Sequence, residues 1–525
     1  MHYQEKKLSL QREIRHTALC GNNQKKSLLA RVLLIRYKNK ETKLMKKNKF
    51  LIIALMLLLA GKVSAQDYAS YYKNLPVAMK QVAAPVIPSQ RVSITDFGAV
   101  GDGETLCTDA FSKAMSKLAK AGGGHVDVPA GVWLTGAISM KDNIDLHLDR
   151  GAIIVFSPDK NLFVPEETKS FTRCYPAIRA SKRKNISITG EGLIDGNGKY
   201  WRPVKRSKTS DTEWKEFQRM GGTVVDEGAL WYPYPLKGGY AEIVDDARKM
   251  NNVRADLIRF TDCENILIEG VTVQNSPRFH IHPVRCKNFI LDGVSVRCPW
   301  NAQNGDAIDL SNVQTALIVN TTVDTGDDGL CMKGGVGKSG VADGPVSDVL
   351  IQDCRVYHAH GGFVIGSDVS GGMERIVVRN CQFSGTDTGL RFKSGVGRGG
   401  TTKDIFISNI MMNNIKDQCI VFDCTYEDKG LKHVDGKINE VKKDGSEKTV
   451  APFTPNFQDI SFKNIVCRGV KTGIYIQGLP TGYVHDLQFE DVTISDAETP
   501  VKIEYTRDLK TKNVRVNGKS YDNNL

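Results

Sequence analysis

Between residues 306 and 393 the chain carries Asp306, Asp327, Asp328, His360, Arg391 and Lys393. Carboxyls crowded together cannot all ionise unless cations offset them, so one of them tends to hold a proton. A protonated carboxyl beside ionised ones is what glycoside hydrolysis needs. One group acts as acid for the leaving oxygen, and another acts as base for water. Arginine and lysine alongside suit the carboxylate of an anionic sugar. Any single aspartate here could be a solvated turn residue or a calcium ligand. The set as a whole favours catalysis, provided that the fold brings its members together.

A repeat supplies the means. Segments NILIEGVTV (265–273), NFILDGVSV (288–296), ALIVNTTV (316–323), DVLIQDCRV (348–356), RIVVRNCQF (375–383), DIFISNIMM (404–412), DISFKNIVC (459–467) and DLQFEDVTI (486–494) share one apolar alternation. NISITGEGLIDG (185–196) is a partial earlier copy. The last apolar position falls at Val273, Val296, Val323, Val356, Phe383, Met412, Cys467 and Ile494, in steps of 23, 27, 33, 27, 29, 55 and 27. The step of 55 fits two coils, or one coil carrying the polar stretch 427–448. Alternation marks strands with one face inward. Two or three short strands per repeat predict an all-β chain, a right-handed parallel β-helix solenoid. A propeller would need four strands per blade joined by hairpins, and no tight two-residue hairpin joins one copy directly to the next.

A second motif follows most copies: DGLCMKGG (328–335), GGFVIGSD (361–368), TGLRFKSG (388–395) and TGIYIQG (472–478). Aligning Ile308, Leu330, Phe363 and Leu390 places Asp306, Asp328, Gly361 and Thr388 on one ladder, with Gly305, Asp327, His360 and Asp387 on the next. Asp306 should then lie over Asp328 at about the 4.8 Å strand spacing, with His360 over Asp327. Arg391 and Lys393 flank Phe392, so both should point away from the core. The expectation is one solvent-facing side that carries all the polar groups.

Other segments frame this face. A helix over about Thr108–Ala121, with Phe111, Met115 and Leu118 on one side, should cap the open end of the stack. Residues 197–255 break the repeat and carry Trp201, Trp214, Trp231, Tyr232 and Tyr234, an insertion suited to walling a cleft. Cys354 and Cys381 repeat one inward position, as do Cys263 and Cys286. They read as thiols in an apolar ladder rather than disulfides or a zinc site.

Four motifs in order now carry a resemblance. Asn304-Gly305-Asp306, Gly326-Asp327-Asp328, Ala359-His360-Gly361 and Arg391-Phe392-Lys393 are similar to the Asn-Thr-Asp, Gly/Gln-Asp-Asp, Gly/Ser-His-Gly and Arg-Ile-Lys motifs of the polygalacturonases, glycoside hydrolase family 28. GLIDGNGKYW (192–201) and NSPRFHIHPVRCKN (275–288) are similar as well, and the N-terminal part resembles a pectate-lyase-superfamily module. The resemblance covers about 90–525 and implies hydrolysis of α-1,4-galacturonide linkages with inversion. It implies Asp327 as general acid, Asp306 and Asp328 as activators of water, and His360 as a tuner of the proton near Asp327. Arg391 and Lys393 would bind the uronate carboxylate, Asn304 would help hold the first turn, and Tyr426 would lie at the leaving-group subsite. No cofactor or metal is implied. Gly305, Ala359 and Phe392 depart from the family pattern. Of the three, Gly305 leaves its turn most open to conformational choice.

Rhamnogalacturonan or galacturonide side-chain hydrolysis is the nearest alternative, with a pectate lyase and a non-catalytic β-helix glycan binder further off. A lyase needs a metal and a basic proton acceptor. A mere binder gives no reason for the alignment of six polar groups. Insertions 197–255 and 427–448 could close one end of a cleft, which favours exo action.

The net charge of +12 looks like a polyanion-binding surface until it is located. Residues 1–65 hold 15 of the 71 Lys and Arg but 3 of the 59 Asp and Glu, which leaves 56 of each sign for 66–525. From Met45 the chain reads as a signal peptide: basic MKKNK, apolar FLIIALMLLLA, then GKVSA. Residues 1–44 are expected to be a non-native upstream extension, 45–65 the leader, and 66–525 a single β-helix catalytic domain. Within that domain lie N-terminal coils and cap (90–196), the insertion (197–255) and catalytic coils (256–525). The expected protein is exported to the periplasm or beyond as a monomer. It has polygalacturonate or pectic oligosaccharide as partner, no nucleic acid and no membrane span. N-terminal sequencing of the exported protein should begin at Gln66; a start at Met1 or Met45 would refute the leader.

Overall fold

The computed structural model describes residues 68–164, 174–234, 249, 253–426, 453–480, 482 and 484–522, together with the backbone of strands Leu431–Val434, Lys437–Val441 and Glu447–Thr449. The expected leader and the upstream extension lie outside the described residues. From Tyr68 onward the chain forms one compact unit. It is a right-handed parallel β-helix.

One face of the stack positions the polar groups. Its strands are β1 (Ile178–Ser181), β2 (Ile258–Thr261), β3 (Ile281–Val284), β4 (Ile308–Ser311), β5 (Leu330–Lys333), β6 (Gly361–Ile365) and β7 (Thr388–Lys393). Each pairs in parallel with the next. The stack continues through β8 (Thr401–Asp423), where Leu390 pairs with Ile420, and β9 (Asn456–Gln477), where Ile420 pairs with Ile474.

The ladder expected from the repeat is present in full. Val273, Val296, Val323, Val356, Phe383, Met412, Cys467 and Ile494 pair in succession. The step of 55 is one coil, because β8 pairs directly with β9. The polar stretch between them carries a small antiparallel sheet of its own.

Two side-chain stacks hold the coils in register. Inside, Phe392 lies on Phe422 with ring centres 4.4 Å apart, and Phe462 on Phe489 at 4.9 Å. At one corner Asn143, Asn185, Asn265 and Asn288 each adopt positive φ, between 53° and 59°. Their amides bond from coil to coil at 2.7–2.9 Å. Asparagine tolerates that conformation better than other side chains, so each corner turns sharply and gains a neighbour. All eleven described cysteines are free, and ten are buried.

Helix α1 (Thr108–Lys120) ends one residue before the expected Ala121 and buries Ala110, Phe111, Ala114, Met115 and Leu118 against the first coil. The insertion differs from expectation. Trp201 belongs to the main core and packs edge-on to Phe163 at 5.5 Å. Trp214 and Trp231 form a separate small core under helix α2 (Asp211–Arg219), beside an antiparallel three-stranded sheet. Aromatics of this size bury too much surface to be left as a wall. The module is fastened to the turns that bear the acids: Val204 bridges Ala302, and the Lys208 ammonium donates to the Gly326 carbonyl at 3.0 Å. Among the described residues, no helix is long and apolar enough to cross a membrane.

Phe462 touches Phe489, Phe392 and Phe422 across three coils. Phe462→Ala should lower the unfolding free energy by about 3–5 kcal/mol. A denaturant titration showing a loss below about 1 kcal/mol would mean that the stack does not hold the coils.

Candidate active site

The parallel register stacks the second-motif turns. Ile308 pairs with Leu330, Leu330 with Phe363, and Phe363 with Leu390, which superposes the turns that bear Asp306, Asp327-Asp328 and His360. Asp306, Asp327, Asp328, His360, Arg391 and Lys393 fall in one cluster, with Asn304 and Tyr426 at its borders. The cluster is drier than a solvent face. Asp306 is 4 % exposed, Asp328 2 % and Lys393 6 %, whereas the side chains of Asp327 and His360 reach 19 % and 42 %.

Electrostatics follow from that dryness. Lys393 donates to Asp328 at 2.7 Å, and Arg391 lies 3.5 Å from its other oxygen. Burial alone would neutralise Asp328, but Lys393, Lys333 and Arg391 hold it ionised, well below the usual carboxylate range. Lys393 is thus already committed to an acid of the protein, which the sequence did not suggest. Asp306 goes the other way. Burial and the charges of Asp309, Asp327 and Asp328 push its carboxyl well above the ordinary value, and Lys333 offsets this only in part. Four carboxyls (306, 309, 327 and 328) face three permanent cations (Lys333, Arg391 and Lys393). The surplus favours the neutral form of Asp306, the carboxyl that is pushed up.

Asp327 is ionised at rest. Burial works most strongly against its charge, but the hydrogen bond with His360 and the charges of His360 and Lys208 together outweigh it and lower its carboxyl below the ordinary value. Its oxygens accept the backbone N–H groups of Asn304 and Asp328, each at 3.0 Å. His360 lies between Asp327 and Asp387, 3.5 Å from each. The Asn304 side chain accepts from Arg254 Nη2 at 2.8 Å.

The turns are shaped by crowding. A Cβ at Gly326 would lie 2.7–2.8 Å from the carbonyls of Pro299, Trp300 and Ala302, so only glycine fits before Asp327. At Gly305 a Cβ would meet Ala302 at 3.1 Å, which suits the missing side chain there.

Several residues escaped sequence reasoning. Lys333 lies 2.8 Å from Asp309 and 3.4 Å from Asp306. Burial would lower it, but Asp309, Asp306 and Asp328 keep it charged, well above its usual range. The signal was available, since Lys333 occupies the β5 position that pairs with Ser311. His280 fixes the Asp306 turn. Its backbone N–H and ring Nδ1 both donate to the Asp306 carbonyl at 2.9 Å, and its Nε2 accepts the Ser276 N–H at 3.2 Å. Trp300, 62 % exposed, lies flat on His358 with ring centres 4.2 Å apart, a surface on which a sugar face can stack.

Two cavities flank the carboxylates. Towards the C-terminal coils, one of about 410 Å³ is lined by His360, Asp387, Arg391, Asp423, Tyr426 and Tyr475 among others. Tyr426 presents its ring to Arg391 and Lys393, at 5.5 and 5.1 Å. Towards the N-terminal coils lies one of about 640 Å³, rich in arginine. Asp327, Asp328 and His360 are near enough to share a metal ion. The donor set suits one poorly, because Lys393 and Arg391 already occupy Asp328.

Residues 215–445 match the model for glycosyl hydrolases family 28. The crystal structure of a hyperthermoactive exopolygalacturonase from Thermotoga maritima aligns with a TM-score of 0.67 and 31% identity, covering 84% of this chain and 94% of that one. The chain belongs to family 28. It is therefore a glycoside hydrolase. A probable polygalacturonase of Vitis vinifera is 27% identical over 419 residues, 79% of this chain and 76% of that protein. An exo-poly-alpha-D-galacturonosidase of Dickeya chrysanthemi is 28% identical over 391 residues, 71% of this chain and 61% of that protein. In this family 28 chain, Gly305 is the departure that falls in the first acid turn, packed against Ala302.

Burial pushes His280 down to about 4, more than its bond to the Asp306 carbonyl restores. It folds as the neutral ring, while the unfolded chain takes up a proton below about 6.5. The stability that depends on the neutral ring is complete above pH 6.5. It is lost as pH falls towards 4, at up to about 1.4 kcal/mol per pH unit. In His280→Gln this component should be absent, so denaturant midpoints at pH 7 and 4.5 should differ less than in the parent. Equal differences would refute it.

Proposed function

We propose that this family 28 hydrolase is an exported enzyme that cleaves α-1,4-galacturonide linkages with inversion, releasing sugars from a chain end. The observation that carries the reading is the stacked Asp306, Asp327 and Asp328 cluster, with Arg391 and Tyr426 beside it. The exopolygalacturonase and exo-poly-alpha-D-galacturonosidase relatives support action on polygalacturonate and from the end. The leader-like segment 45–65 supports export.

Asp327 is the general acid because it is the accessible member of the three. A galacturonide lying over it removes its water and brings a further negative charge, and both raise its affinity for a proton. His360, 3.5 Å from Asp327, lies where it can pass a proton to it. Asp327 then gives it to the glycosidic oxygen as the bond to the anomeric carbon breaks. Water attacks from the opposite face, and its proton passes to the Asp306–Asp328 pair. That pair carries one proton and one free charge at rest, so it acts as a unit. Arg391 binds the uronate carboxylate of the sugar at Tyr426, on the leaving-group side. Lys393 holds Asp328 ionised and reaches the substrate only if it leaves that partner. Asn304 holds the acid through its backbone N–H.

Asp327→Asn should reduce kcat on polygalacturonate by roughly 10²–10⁴ while the fold is kept. Turnover near the parent's would remove Asp327 from the role of acid. Hydrolysis should persist in excess chelator. Loss of activity there, with unsaturated products in place of reducing sugar, would indicate a lyase. A product time course dominated by galacturonate monomer from the first minutes is expected, and an early spread of oligomers would make the enzyme endo-acting.

A further inference from the structure

The three cations that share the cleft floor with the acids are all engaged by carboxylates. Lys333 lies 2.8 Å from Asp309, Lys393 2.7 Å from Asp328, and Arg391 3.5 Å from Asp328. A fourth cation comes from outside the stack of coils. Lys208 belongs to the insertion, and its ammonium donates to the Gly326 carbonyl at 3.0 Å. Among the described residues, no carboxylate lies within 4 Å of it. An ammonium has three protons to donate, so this contact leaves two. The side chain is half-buried rather than enclosed.

The insertion holds Lys208 in place. It ends a short 3-10 turn (Arg206–Lys208) just before α2. The Arg206 N–H donates to the Ala229 carbonyl at 2.8 Å. The Arg206 guanidinium donates to the Thr209 carbonyl at 2.9 Å, pairs with Asp211 and lies over the Trp214 ring at 5.8 Å. Ser210 and Glu213 then close a capping box at the start of α2. The receiving end is as firm, because Gly326 packs against the carbonyls of Pro299, Trp300 and Ala302. Asp327 follows Gly326 directly. It is faced by the charges of Asp306 and Asp328, the Cys298 thiol, His360 and Lys208. Lys208 is among the groups that lower its carboxyl. At rest, then, Lys208 opposes the protonated form that a general acid needs. An anion that pairs with Lys208 removes that opposition.

We propose that Lys208 is a substrate-binding residue contributed by the insertion, and that its pairing with a uronate carboxylate readies Asp327 to take up its proton. The ammonium and the carboxylate both keep their charges as the ion pair forms. Asp327 gains one proton from solvent, by way of His360, and no other bond changes. Binding and loading of the acid are then one event, because the carboxyl is protonated where a uronate lies across its turn. This rests on the galacturonide reading above and gives the insertion a task within it. A sugar without charge at that position binds more weakly and leaves Asp327 ionised.

The test compares the parent enzyme with Lys208→Met, which keeps the length of the side chain, and Lys208→Arg, which keeps its charge. The pH dependence of kcat/KM reports the free enzyme and that of kcat the bound one. The alkaline limb of each is set by the Asp327–His360 pair. In the parent that limb should lie higher in kcat than in kcat/KM, by roughly half a pH unit or more. Lys208→Met should raise the limb of kcat/KM towards that of kcat, and should raise KM for trigalacturonate about tenfold. Lys208→Arg should restore both in part. Calorimetric titration of trigalacturonate into Asp327→Asn enzyme, with and without Lys208→Met, should show a similar loss of affinity without turnover. Coincident limbs in the parent, a measurement that needs no variant, would overturn the proposal. So would equal KM values or affinities with and without the ammonium. A fall in kcat with KM and both limbs unmoved would also overturn it, and would leave Lys208 as a prop for the Gly326 turn. A parent that cleaves polygalacturonate while Lys208→Met changes nothing keeps the galacturonide reading and loses the proposal. A parent that neither binds nor cleaves these chains loses both.

Discussion

Each carboxylate in the floor of this cleft is answered by a group from another coil. Asp306 and Asp309 look to Lys333, Asp328 to Lys393 and Arg391, and Asp327 to His360. Buried charges are tolerated only when paired, so the fold and the proton count depend on the same contacts. A slip of one residue in any coil would turn each acid in that coil to the other face and leave its partner cation stranded. Register is therefore the quantity that the structure has to protect. The phenylalanine stacks inside and the asparagine corners outside protect it from opposite sides of the wall.

This pairing also separates the three catalytic candidates by environment rather than by residue type. Asp306 and Asp328 are both dry, yet the first is pushed up and the second held down, because more cations sit close to Asp328. Asp327 keeps contact with water and can change state when a substrate displaces it. Identical side chains take different tasks because the strands beneath them bring different neighbours.

Much of this was legible in the chain before any coordinates. Period-two alternation is a local signal, and the ladder from Val273 to Ile494 needed no more than that. Aligning the copies was enough to bring Asp306, Asp327, Asp328 and His360 together, because in a stack sequence offset translates directly into height. What escaped was set by packing across coils. Lys333 looked like an ordinary strand lysine until Asp309 was seen beside it. His280 and Arg254 work through backbone and amide contacts that no spacing rule anticipates. The aromatics of 197–234 looked like a wall, yet they bury one another, because rings of that size close a core wherever a short helix and sheet allow it. The commitment of Lys393 to Asp328 was also hidden, since alternation gives a direction but not a partner.

The coil between Asp423 and Asn456 shows how such a protein can vary. More than thirty residues enter there, and the strands on either side still pair as direct neighbours. A coil touches only the coils above and below it, so an excursion at a turn costs the rest of the molecule little. The acids are fixed by the wall, so an excursion at a turn leaves them in place. Descendants of this chain could therefore be refitted to differently decorated polysaccharides by lengthening or trimming turns, with the bond-breaking machinery inherited untouched.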